Sequence, residues 1–253
     1  MNENKLSRLI LKLDAEGLNY KKASDFQGVL FTQIDSEYAD YLHKEQLHPY
    51  SQYILFRDGT WYWYVQALSS DAYVHIIEPL LSPGFDHFKI KNGDIDVKIK
   101  DKDLRVIGYS NFLEDFYNTP AQKIINLEIC TYAAFKQRGR YNVTPDLRLI
   151  YQSLMMKYSA VSGNEMMVDE DTLEQLIQNS VVSRYRLKTG VFPVEGRTIP
   201  GFIGTMSIRF YGTETMMRYI RMLFQFGEYS GIGIKTGIGM GAIQIVEGDN
   251  VDR

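Results

Sequence analysis

The stretch QYILFRDGTWYWYVQAL, Gln52–Leu68, holds two aromatic and aliphatic runs joined by Asp58-Gly59. Each run has the length and side chains of a strand, and Asp-Gly tolerates positive φ at both centres of a two-residue turn. A β-hairpin is therefore predicted. On its N-terminal side, Leu9, Leu11 and Leu13 alternate with Arg8 and Lys12 over Leu6–Leu13, a strand pattern. Residues 22–47 read as helical, with a break at Asp35-Ser36 and Ser36 as the N-cap of a second helix over 37–47. Tyr38, Tyr41 and Leu42 would be that helix's buried stripe, and Pro49 helps to end it. On the C-terminal side, Ser70–Glu78 is predicted helical and stopped by Pro79. Phe88–Tyr109 is predicted extended, interrupted at Asn92-Gly93. The order β-α-β-β-α-β is the ferredoxin-like arrangement.

The second half repeats that order less clearly. Strands are predicted over 124–135, 181–188, 202–211 and 242–246, and helices over 145–158, 169–179 and 213–226. Met216, Met217, Ile220, Leu223 and Phe224 share one face of the last helix. The expected fold class is α+β, with two ferredoxin-like (βαββαβ) domains in tandem. Asn118-Thr119-Pro120 is the expected junction, giving domains 1–118 and 119–253.

The chain of 253 residues is long enough for either one large or two ordinary domains. One cysteine, Cys130, excludes an internal disulfide and a cysteine-rich zinc site. The four histidines show no metal-ligand spacing, and no cofactor is expected. The polar N-terminus and the absence of a long apolar run point to a reducing cytoplasm with no membrane partner. The net charge of −3 argues against charge-driven binding of nucleic acid over the whole surface. A local basic stripe could still act, because its reach is about a Debye length of ~10 Å.

Near the C-terminus lies GEYSGIGIKTGIGMG, Gly227–Gly241. A P-loop needs glycine directly before Lys-Ser/Thr, whereas Ile234 precedes Lys235-Thr236. GxGxxG fails because Thr236 stands where its third glycine belongs. Such glycines still permit close backbone approach and concave anion sites, to which Lys235 would add charge. On chemistry alone, a glycine-tolerant connection between helix and strand serves equally well.

The spacing Gly231-x-Gly233, then Gly239-x-Gly241, lies between a helix ending Phe226-Gly227-Glu228-Tyr229 and a final strand. This pattern resembles the glycine-rich loop of the CRISPR-associated repeat-RNA endoribonucleases of the RAMP superfamily. Tyr38–His43, Ser183–Leu187 and Met222–Phe226 look especially like members that accompany type III interference complexes. The resemblance implies two ferredoxin-like domains with CRISPR precursor RNA bound on basic surface. It implies metal-independent cleavage within the repeat, in which the 2′-OH attacks the adjacent phosphate and leaves 2′,3′-cyclic phosphate and 5′-OH ends. A type III interference complex is a further implied partner, and a homodimer is allowed.

That chemistry requires a base, an acid and cations around the phosphate. His43 matches the family's helical histidine in the pattern Tyr-Leu-His, and His48 is the second candidate just beyond the helix end. Taken alone, either could be an ordinary packed or turn histidine. Phe31 stands where some relatives carry a tyrosine, and no lysine occupies the later position, so the acid stays open. His75 and His87 are read as structural.

Two basic runs are candidate RNA contacts. Lys136, Arg138 and Arg140 alternate after a strand, and Arg184, Arg186 and Lys188 alternate on one. Alternation would put each set on one face, where it could neutralise successive phosphates. Gly231, Gly233, Lys235, Gly239 and Gly241 complete the expected RNA-binding set. The competing readings are a noncatalytic RAMP repeat-RNA binding subunit and a small-molecule enzyme with a coincidental loop.

Overall fold

The computed structural model describes residues 4–162, 168–194 and 196–246. It separates into two compact units. The first comprises residues up to Tyr109 and two short later segments, one of which is Lys235–Gly239. The second comprises the rest of the described chain.

The first unit is built on a five-stranded sheet. Strands β1 (Lys5–Asp14), β2 (Tyr50–Arg57), β3 (Thr60–Ala67), β4 (His87–Ile90) and β5 (Ile95–Gly108) lie in the order β2-β3-β1-β5-β4. Every pairing in it is antiparallel. The β2–β3 hairpin turns at Asp58 (φ 50°) and Gly59 (φ 75°), the two positive values the sequence anticipates. Helices α1 (Asp25–Gln33) and α2 (Ser36–Lys44) connect β1 to β2. Phe26 of α1 meets Trp63 edge-on at 5.1 Å and Phe88 at 5.6 Å between ring centroids. With Leu9, Leu11, Leu30 and Val65 these rings form the buried core. Among the described residues the topology is ferredoxin-like, with β4 added beside the last strand.

Three local expectations need correction. Asp35, not Ser36, caps α2, since its Oδ1 accepts the Tyr38 N–H at 2.8 Å, and the helix ends at Lys44 rather than Leu47. Tyr41 is 44% exposed, because Tyr38 and Leu42, one turn apart, already fill the inward face. Pro79 does not stop the third helical segment. α3 (Ser70–Ala72) runs through a π-helical turn (Tyr73–Ile77) into α4 (Glu78–Leu81). The wider turn lets Glu78 N–H reach the Tyr73 carbonyl one residue before the proline that lacks a donor.

The second unit begins at Ser110, in the first turn of α5 (Tyr109–Asn118), and the Asn118-Thr119-Pro120 segment follows that helix. Its strands β6 (Ile124–Ala133), β9 (Ser180–Val194), β10 (Arg197–Phe210) and β11 (Ile243–Val246) are ordered β11-β6-β10-β9. This is the neighbour order of the first unit: fourth, first, third, second. The fold class is thus α+β with two ferredoxin-like units. A separate two-stranded ribbon, β7 (Phe135–Gln137) with β8 (Arg140–Asn142), follows β6. Helices α6 (Leu147–Ser162), α7 (Glu170–Gln178) and α8 (Glu214–Ser230) complete the unit. Tyr151, Leu154, Ile220, Leu223 and Phe224 are buried on α6 and α8.

Candidate active site

Helix α2 ends one residue beyond His43, and the chain then turns through His48 into β2. His43 is exposed, and its ring meets Phe31 of α1 edge-on at 5.0 Å. His48 is half-buried and stacks on Tyr50, with centroids 5.3 Å apart. Gln27 of α1 donates its amide to the Tyr50 hydroxyl at 2.9 Å. Burial of Tyr50 pushes the phenol well above its ordinary value, so it is a poor proton donor at neutral pH.

The tip of the glycine segment completes this arrangement inside the first unit. Thr236–Ile238 form a single 3-10 turn, and Gly237 lies against His48 so closely that a Cβ there would stand 2.7 Å from Nδ1. Loss of hydration lowers the pKa of His48, and the charges of Lys235 and His43 lower it further. His48 is consequently neutral at pH 7, the form that can accept a proton. Lys235 is exposed beside it, in a left-handed conformation with φ 61°.

The remaining glycines face protein. Gly231, Gly239 and Gly241 are buried, and Gly233 is half-buried. A Cβ at Gly233 would lie 2.2 Å from the Ala134 carbonyl oxygen, and one at Gly241 would lie 2.0 Å from that of Ile232. At Gly233 and Gly241 the glycine therefore serves backbone-to-backbone approach. Within the segment, Lys235 is the exposed residue. Sequence reading missed Lys157 of α6, whose ammonium is buried and donates to the carbonyls of Ser230 (3.3 Å) and Gly231 (3.0 Å). No motif marks it, because one lysine on an amphipathic helix looks like any solvated cation.

The basic runs fare differently. Arg184, Arg186 and Lys188 lie on β9 at alternate positions, so their side chains leave one face of an edge strand, with Tyr185 65% exposed on the other. The first run does not form a row. Arg138 (φ 49°) and Gly139 (φ 78°) are the turn of the β7–β8 ribbon. Gln137 pairs with Arg140 and Lys136 with Tyr141. Cross-strand partners share a face, so Lys136 and Arg140 project from opposite faces. His75 and His87 are held by carboxylates, with Nδ1 3.0 Å from Asp35 and 2.6 Å from Asp86 respectively. His75 also stacks on Tyr38 at 4.3 Å. Among the described residues no cluster of three or more histidine, cysteine or acidic side chains could hold a metal.

Residues 127–243 match the family model for "CRISPR-associated endoribonuclease Cas6". A protein of that name from Streptococcus thermophilus is 34% identical over 229 residues, covering 89% of this chain and 91% of the relative. One from Mycobacterium tuberculosis is 34% identical over 246 residues, covering 95% of this chain and 78% of the relative. Among solved structures, a Cas6 product complex superposes with a TM-score of 0.78 at 21% identity, covering 96% of this chain and all (100%) of that one. A Cas6 substrate mimic complex gives 0.73 at 20% identity, covering 96% and 99%. At those identities the two structures speak for the fold.

Proposed function

This chain belongs to the CRISPR-associated endoribonuclease Cas6 family, and we propose that it cuts CRISPR precursor RNA within the repeats, without metal, by attack of a 2′-OH on the adjacent phosphate. His48 takes the 2′-proton, and His43 returns one to the leaving 5′-oxygen. Lys235 offsets charge that gathers on the phosphate oxygens as the bond to the 5′-oxygen breaks. The products are a 2′,3′-cyclic phosphate and a 5′-OH. The proposal includes a cytoplasmic setting and association with a type III interference complex, and it admits a homodimer. No described helix is long and apolar enough to cross a membrane.

The observation that carries this reading is the environment of His48. A histidine kept neutral by burial, with a lysine charge beside it, suits a general base for an anionic reaction. Tyr50 fixes the ring by stacking and Gln27 fixes Tyr50. His43 is exposed, as a group that must reach a bound RNA strand should be.

Incubating the protein with repeat RNA in EDTA tests the reading, with the product ends identified chemically. Cleavage to the two named ends is expected, together with full resistance of RNA carrying a 2′-deoxy nucleotide at the cut. His43→Ala should slow cleavage by roughly 10²–10⁴-fold while RNA binding persists. Tight binding without cleavage by the unaltered protein would favour a noncatalytic RAMP subunit instead.

A further inference from the structure

Helix α1 carries a glycine, Gly28, in its interior, where glycine is the poorest helix former after proline. Its backbone is not among the positive-φ positions, and a Cβ built on it would meet nothing within 4 Å. Gly227 of α8 provides the contrast. There a Cβ would lie 2.8 Å from both Ile243 and Leu154, so packing inside the protein demands glycine. Packing makes no such demand at Gly28.

Gly28 lines a groove of about 650 Å³ between α1 and β4. Phe31 and His43 contribute aromatic wall, and Gln33, Lys91 and Asn92 contribute polar groups. Lys89 is engaged by Asp94 at 2.8 Å. The exposed Lys91 ammonium has no ion-pair partner among the described residues. Asp25, the acidic group on the wall, is occupied by Asn92 at 3.3 Å and Lys22 at 4.0 Å. The volume is in the range of small-ligand sites, about 300–1,000 Å³. An aromatic ring, amide side chains and an uncommitted cation form a set that takes a base splayed out of a single RNA strand, together with its phosphate.

We infer that this groove receives one nucleotide of the substrate RNA next to the cleaved phosphodiester, and that Gly28 keeps it open. The position follows from His43, which lines the groove and is the proposed proton donor, so the inference rests on that assignment. The base stacks against Phe31, and Lys91 meets the phosphate. A side chain at position 28 would occupy the same space.

The test uses Gly28→Trp and repeat RNA made uncleavable by a 2′-deoxy nucleotide, with abasic replacements scanned across the cut. In the unaltered protein, one flanking abasic position should weaken binding by roughly tenfold, the loss of one stacked base. Gly28→Trp should weaken binding of the intact RNA about as much, and that abasic replacement should then cost nothing more. Thermal unfolding of the variant establishes that it is folded. Lys91→Gln is the second variant and should reduce the salt slope of binding by about 0.7. A folded Gly28→Trp protein that binds and cuts like the unaltered one overturns the inference, as does an abasic penalty that persists in it. An intact abasic cycle in a protein that fails to cut upholds the groove and sinks only the catalytic reading.

Discussion

At Gly237 the chemistry of one side chain depends on the absence of another. Gly237→Ala would force a methyl to within 2.7 Å of His48 Nδ1, so the ring must turn or leave its stack on Tyr50. With His48 as the proposed base, the expected effect is a fall of about 10²-fold in the cleavage rate constant with little change in RNA affinity, measured by single-turnover kinetics, since misplacement of a catalytic group by an ångström costs about that much. The pH profile tests the same ring. Because its pKa is lowered, His48 stays in the base form as pH falls to the ordinary histidine value of about 6.5 and somewhat below. The acid limb of the rate should therefore lie below pH 6.5, and a limb above that value would assign the base elsewhere. His43 and His48 are legible in the sequence as candidates through the family resemblance, since by its neighbours alone either could be an ordinary packed or turn histidine. The role of Gly237 is not legible. It depends on His48 and Gly237, nearly 190 positions apart, meeting in one unit.

At the scale of elements, the sequence reveals what local chemistry decides. The Asp58-Gly59 hairpin and the alternation of Leu9, Leu11 and Leu13 are local, and both are present as expected. The passage of α3 through a π-helical turn into α4 is not local, because a proline reads as a stop unless the preceding turn can widen. Lys157 is the clearest element-level surprise. It joins α6 to the end of α8, placing a cation among the carbonyls of a helix C-terminus. Burial brings its pKa down to about 7, against about 10.4 in the unfolded chain. Between those values the unfolded state binds more protons, so this lysine makes stability rise with pH from about 7 toward 10. Denaturant unfolding at pH 7 and pH 9 should show that rise in the unaltered protein. Lys157→Met, which keeps the length and removes the charge, should flatten it. An equal rise in both proteins would mean that Lys157 is not the titrating group.

At the scale of the whole molecule, the net charge of −3 means that affinity for RNA must come from where the cations stand. The two basic runs look alike in sequence, yet the structure makes them unequal. Arg184, Arg186 and Lys188 share one face of β9, whereas Lys136 and Arg140 leave opposite faces of a short ribbon. A single strand of RNA can run along the first set and meet three cations, but it can meet only one of the other two. Each phosphate neutralised on a single strand contributes about 0.7 to the slope of log affinity against log salt. Replacing Arg184, Arg186 and Lys188 together with glutamine should therefore lower that slope by about two. Replacing Lys136 and Arg140 together should lower it by about 0.7, the share of one contact, rather than twice that. Titrations of repeat RNA across roughly 50–200 mM salt measure both changes. If the β9 variant kept the full slope, the phosphates would have to be held by cations outside that strand, and the row would be a solvated edge.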